Sequence, residues 1–231
     1  GSDVRIPELQ KIAGDPNTPT YDWAAEAIRP GRIQSHQLGF SGGTKASQFF
    51  ISGNYYDESG TFINSGFKRY AFRLNSDHRL NDKLKIGNTL TLSRTDQRLA
   101  WTDNGNNALF VALNRQIPVR PIYLDDGRYS AGGLWQDNQH PIAGLKEDKK
   151  TLQTLRILGS VYGEYQILPA LSFRTAWSVD QINATQELFQ PPYDVENGAA
   201  SRLPAVASLA TQNRQSFTWF TDNYFTFRKK I

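Results

Sequence analysis

The chain has 231 residues, 26 Lys and Arg against 22 Asp and Glu for a net charge of +4, and no cysteine. The missing cysteine excludes disulfides, thiolate metal sites and cysteine nucleophiles, and the scattered, nearly balanced charge excludes a basic stripe for nucleic acid. The longest apolar run, Ala108–Leu113, is far shorter than the ~20 residues a membrane helix needs, although strands that cross a membrane carry polar residues at every second position and are not excluded.

Residues 1–31 are rich in Pro, Asp and Gly and contain one short helical pattern, Asp22–Ile28, with Asp22 as N-cap and Pro30-Gly31 as stop. Strands follow. The first is expected over Arg32–Ser41, turning at Gly42-Gly43-Thr44-Lys45 into the second, Ser47–Asp57. The third is expected over Phe67–Leu80, turning at Asn81-Asp82 into the fourth, Lys83–Arg94. A long irregular stretch, residues 95–150, carries one expected helix within Asn106–Gln116. The fifth strand, Thr151–Ile167, turns at Pro169 into the sixth, Leu171–Thr185; a second long loop, residues 186–212, precedes the seventh, Arg214–Arg228.

Each strand alternates apolar and polar residues. In the fourth, Leu84, Ile86, Leu90 and Leu92 oppose Lys85, Gly87, Thr89, Thr91 and Ser93. Alternate side chains point to opposite faces of a strand, so the sheet has one greasy and one polar face. Little separate apolar material remains to cover the greasy face. The connections alternate too: tight after strands one, three and five, long after two, four and six. Short turns on one rim and long loops on the other are the construction of an outer-membrane barrel. The expected fold is therefore all-β, part of a large antiparallel transmembrane β-barrel, open here, with about seven strands and one short helix in a long loop. Residues 1–31 form a pre-strand segment and residues 32–231 the partial barrel. A chain without methionine that opens on Gly1-Ser2 and stops in a strand-like run at Ile231 is expected to be an internal piece of a longer protein.

Several segments also carry a family resemblance: Tyr21–Ile28, Leu38–Gly43, Phe50–Gly60, Phe67–Asn75 and Leu80–Asn88, with Pro118–Tyr123 and Asp125-Asp126-Gly127 further on. In order and spacing they resemble the SusC/RagA group of TonB-dependent outer-membrane transporters; beyond residue 150 the likeness is one of pattern. The resemblance implies a barrel of about 22 strands around an N-terminal plug. It implies import of oligosaccharides or peptides, a SusD-like surface lipoprotein as lid, a TonB complex acting through a plug absent from this sequence, and outer-membrane lipid around the barrel. No bond is made or broken in that role, so no catalytic residue, cofactor or metal is expected. The alternative is a soluble, surface carbohydrate-binding all-β module, in which the apolar faces of two sheets pack on each other.

The candidate site residues fall in two sets. Arg69, Arg73, Asp77, Arg156, Glu164, Arg174 and Asp180 share the polar phase of their strands and are expected to line the lumen, pairing with one another, with a plug or with a solute. Trp101, Tyr123, Tyr129 and Trp135, in the long loop, are candidates for stacking on a solute. Tyr55, Phe67, Tyr165, Trp219 and Phe227 are expected at the membrane interface, which favours rings with a polar tip. His36, His78 and His140 have no metal-ligand spacing and are expected on the surface or rim. Asp103–Asn107 lacks the spaced ligands of a calcium loop.

Overall fold

The computed structural model describes residues 15–100, 109–130, 140–193 and 206–228. Seven strands form one antiparallel sheet in chain order: β1 Arg32–Gly43, β2 Ser47–Ser59, β3 Gly66–Arg79, β4 Leu84–Arg98, β5 Lys149–Leu168, β6 Leu171–Gln190 and β7 Ser208–Phe227. Among the described residues, three helices accompany them: α1 Trp23–Ala27, α2 Leu109–Asn114 and α3 Pro141–Glu147.

The register decides which residues share a face, because directly opposed residues in an antiparallel pair point the same way. One row runs Phe40, Ile51, Leu74, Leu90, Gly159, Val179, Trp219. Its neighbour on the same face runs Leu38, Gly53, Phe72, Leu92, Ile157, Gln181, Phe217. Ile86, Val161 and Phe173 lie on this face as well. The opposite face carries Arg73, Asn75, Thr89, Arg156 and Arg174. A slip of one residue would exchange the two sets; the alternation read from sequence therefore assigns the faces of β1 to β6 correctly.

Nothing among the described residues covers the apolar face. Leu38, Phe40, Val161, Trp177 and Trp219 are all more than half exposed. The buried apolar cluster of Trp23, Ala27, Leu109, Leu113, Ile122, Ile142 and Leu145 contains no strand residue. A two-sheet sandwich would bury its strand residues first. β1 and β7 each pair on one side only, so both edges present unpaired backbone donors and acceptors, the groups that template aggregation in water and cost several kcal/mol each in lipid.

The rims are segregated as expected. Residues 44–46, 80–83 and 169–170 connect strands at one rim; residues 60–65, 99–148 and 191–207 do so at the other. Asn81 shapes the second turn by accepting from the amides of Lys83 and Leu84 at 2.8 and 2.9 Å. The turns are staggered. The row that ends the first hairpin at Ser47 passes through His78 and Ile86 to Gly163, several residues short of the end of β5 at Leu168. Stagger of this kind accompanies strands tilted by ~35–45° in a barrel wall.

Several features differ from the sequence reading. β6 and β7 run further toward the long-loop rim, where Thr185, Gln186 and Glu187 pair with Asn213, Gln212 and Thr211. Apolar alternation stops there, but backbone pairing continues. Helix α3 was not anticipated; Pro141 occupies its first turn, where a missing N–H costs nothing. Phe67 lies on the polar face, edge-on to Tyr56 with centroids 5.8 Å apart. Trp219 sits within the apolar face rather than at a strand end, stacked on Trp177 at 6.1 Å. His78 is half-buried and hydrogen-bonded on both nitrogens, to Ser47 Oγ at 2.6 Å and Ser76 Oγ at 3.0 Å. Such pairing is what polar groups on an apolar face need.

Candidate functional site

All seven residues of the first candidate set lie on the polar face. Five of them fall in two clusters. Near the short-turn rim, the Tyr162 hydroxyl donates to Asp77, and Lys85 Nζ stands 3.8 Å from the same carboxylate. Arg174 stacks its guanidinium 3.8 Å from the centroid of the Tyr162 ring and reaches Glu164 at 3.5 Å. Gly87 is buried beneath this cluster, and a Cβ there would collide with both Tyr162 and Asp77. Nearer the middle, Arg156 holds Asp180 with two hydrogen bonds of 2.8 and 2.7 Å, a fork geometry of the strong kind. Arg69 donates to Asn54 at 3.3 Å and lies over the Tyr56 ring. The sequence reading omitted Lys85 and Tyr162; both stand in the polar phase of their strands, which was the available signal.

Trp101 and Trp135 lie outside the described residues. Tyr123 and Tyr129 do come together, at the long-loop rim, as partners in an isolated bridge with rings 5.7 Å apart. Their hydroxyls are engaged. Tyr123 donates to Glu26 at 2.7 Å, and Tyr129 to Glu147 at 2.6 Å. Lys146 completes the first group with a 2.8 Å ion pair to Glu26 and its ammonium 4.9 Å from the Tyr123 ring. These contacts tie the pre-strand helix α1 to α3, more than a hundred residues away in sequence. Asp22 caps α1 by accepting from the Ala25 amide at 2.8 Å, as its position predicts.

Helices α1, α2 and α3 and residues 122–129 form a small helical cap with its own buried cluster, and it overturns the surface assignment of His140, which is 1% exposed. Its ring packs against Trp23 and Tyr129, each at 5.0 Å between centroids. Nδ1 accepts from the Ala143 amide at 3.0 Å, making His140 the N-cap of α3, and Nε2 faces the Ile122 carbonyl at 3.2 Å. Accepting at Nδ1 and donating at Nε2 requires the neutral ring. No local pattern marks a histidine as buried when its neighbours come from three separate segments.

Burial pushes the His140 pKa down from 6.5 to about 4, and Arg120 adds to the effect. Above pH 6.5 the ring is neutral whether the cap is closed or open. Below it the exposed ring takes a proton that the buried one refuses until about pH 4. The stabilisation is thus complete above 6.5 and is lost as pH falls toward 4, by ~3 kcal/mol in all. The Glu26 carboxyl, held low by Lys146 and Tyr123, acts in the same direction. Hydrogen exchange at the amides of Ile142–Leu145 should accelerate steeply between pH 6.5 and 4, after correction for intrinsic rates. A flat corrected profile would contradict the buried neutral ring.

No family model matches the chain. Among curated proteins, TonB-dependent receptor P3 of Formosa agariphila is 29% identical over 95% of this chain and 22% of its own length. TonB-dependent receptor SusC of Bacteroides thetaiotaomicron is 24% identical over 81% of this chain and 21% of its own length. Among solved structures, the RagAB peptide importer in its closed-closed state superposes with a TM-score of 0.74 at 17% identity, over 95% of this chain and 25% of that one. The curated proteins that this chain resembles over most of its length are thus TonB-dependent receptors, SusC among them, and its fold is that of one part of the RagAB importer. The chain spans about a fifth of the length of the curated relatives it matches. The seven-stranded sheet is thus one arc of the SusC/RagA-type barrel, and its polar and apolar faces are the two sides of the barrel wall.

Proposed function

We propose that these residues form part of the wall of an outer-membrane importer of large nutrients, oligosaccharides or peptides. The reading rests chiefly on one observation: an apolar face left uncovered beside a polar face rich in paired charge. In a barrel wall the first meets lipid and the second meets the lumen. Arg69, Arg73, Asp77, Arg156, Glu164, Arg174 and Asp180 then line the solute path. Their mutual pairs hold long side chains against the wall and keep the path open. No bond is made or broken, so the protein is a transporter rather than an enzyme. By likeness to its relatives, it takes a SusD-like surface lipoprotein as lid and is energised by a TonB complex through a plug outside these residues. The long loops and the cap, the part that includes Tyr123 and Tyr129, face the cell exterior. There these two tyrosines brace the cap rather than serve as solute platforms. Residues 1–31 are the pre-strand segment, whose helix α1 packs onto that cap through Trp23 and Ala27, and the barrel wall begins at Arg32.

The two-sheet soluble module has no comparable support, since no strand side chain belongs to the buried apolar cluster. Uptake provides the test. Cells lacking the intact receptor should lose growth on one class of solute, glycan or peptide, and regain it with the receptor only when TonB is present. Unchanged uptake of both classes in the deletion strain would refute the proposal.

A further inference from the structure

Three carboxylates of the polar face, Asp77, Glu164 and Asp180, are each held by a cation of the next strand. A fourth, Glu58, accepts from the Tyr56 hydroxyl at 2.8 Å. Arg69 and Arg73 differ: both are exposed on β3, and neither has an ion-pair partner among the described residues. Arg69 touches only Asn54 and the Tyr56 ring. Around Arg73 the register places Ser52, Ala71, Thr91 and Ser93, all small and uncharged. Strands β2 and β4 flank β3, so no further strand can bring a partner alongside. Asp77 lies four residues along β3, and Asp180 stands three strands across in the row of Arg73. These are separations of ~13 and ~14 Å between Cα atoms, and both carboxylates are already engaged. Arg79 and Arg214 are also without an ion pair among the described residues, but Arg79 ends β3 at the short-turn rim and Arg214 stands on the edge strand β7. Each is open to partners beyond the sheet.

We infer that Arg69 and Arg73 form a contact site for carboxylate groups of the imported solute, so that the receptor selects acidic solutes over neutral ones. The inference rests on the barrel-wall reading above and narrows it. A guanidinium free of wall carboxylates keeps its planar fork available for a carboxylate from the solute. Two such groups on a wall of small side chains hold a positive potential where the path is widest, and a charged, low-dielectric channel concentrates the opposite charge. The two arginines are four residues apart on one face, ~13 Å along the strand. A solute several units long meets both at once, and the second contact gains from the first. A uronate glycan and an acidic peptide present the same carboxylate, and the test separates them.

The test places a single cysteine beside Arg73, by Ser52→Cys, in the intact receptor in vesicles, with any other cysteine replaced by serine. Two water-soluble thiol reagents of equal size are compared, one carrying a sulfonate and one a trimethylammonium group. The sulfonate reagent should react ~10-fold faster, and the Arg69→Gln/Arg73→Gln pair should bring the two rates to within ~2-fold of each other. At Ala176→Cys, on the same face but in the third strand from β3 and thus beyond a Debye length, the same pair should leave the ratio unchanged. Trigalacturonate or tetraglutamate should slow the labelling of Ser52→Cys, and whichever does so distinguishes glycan from peptide. Maltotriose and tetraglutamine should not slow it. Equal rates for the two reagents, protection by neutral and acidic probes alike, or protection by none would overturn the inference. Slow labelling by both reagents would show the arginines covered by the plug, and would overturn it too. Ile51→Cys, one residue away on the apolar face, keeps the two readings apart. If it reacts as fast as Ser52→Cys, the barrel-wall reading fails; if only Ser52→Cys reacts but without regard to charge, the solute site alone fails.

Discussion

Arginine in place of Leu90 should destabilise the folded barrel by ~2–4 kcal/mol, while arginine in place of the adjacent Thr89 should cost ~1 kcal/mol or less. Leu90 stands opposite Leu74 and Gly159 in the middle of the apolar face. A guanidinium there would be held in hydrocarbon, too far from either rim to reach water easily. Thr89 stands opposite Asn75 and Ser160 on the polar face, where a guanidinium stays hydrated. Hydrophobicity scales and strand propensity alone would give no reason for so large a difference between sequence neighbours. Denaturant titration of the intact receptor in lipid vesicles measures it. Similar costs at both positions would mean that the two faces meet the same medium.

Much of the fold was legible in the sequence because its physics is local. A period of two needs only a few residues to declare itself, and turn residues such as Asn81 act within three positions. The polar candidate set was legible for the same reason: once phase is known, Arg156 and Asp180 must face one way. What escaped detection depends on contacts between distant segments. His140 is buried by Trp23, Tyr129 and Ile122 together, and Glu26 meets Lys146 only once the pre-strand segment folds onto the loop. The extra length of β6 and β7 escaped because pairing above the apolar band leaves no apolar signature. Phe67 misled for a related reason: an aromatic at a strand start reads as interfacial, yet phase puts it beside Tyr56.

These residues contain no cysteine, so thiol labelling measures the two faces directly once any cysteine elsewhere in the receptor has been replaced by serine. Single cysteines placed along β5 from Thr154 to Tyr162 in the intact receptor, reconstituted in vesicles, can be assayed one by one with a water-soluble thiol reagent. Positions 155, 157, 159 and 161 share the apolar face, and 154, 156, 158, 160 and 162 the polar one. The thiolate is the reactive form and is suppressed in apolar surroundings, so the first set should react at least ~10-fold more slowly than the second. Leu158 is the sharpest case: an apolar residue on the polar face, where its cysteine should react fast. Reactivity that alternates with period two, with 158 in the fast set, is the predicted result. Uniform reactivity along the strand, or slow labelling at the even positions, would contradict a sheet whose apolar face meets lipid and whose polar face meets water.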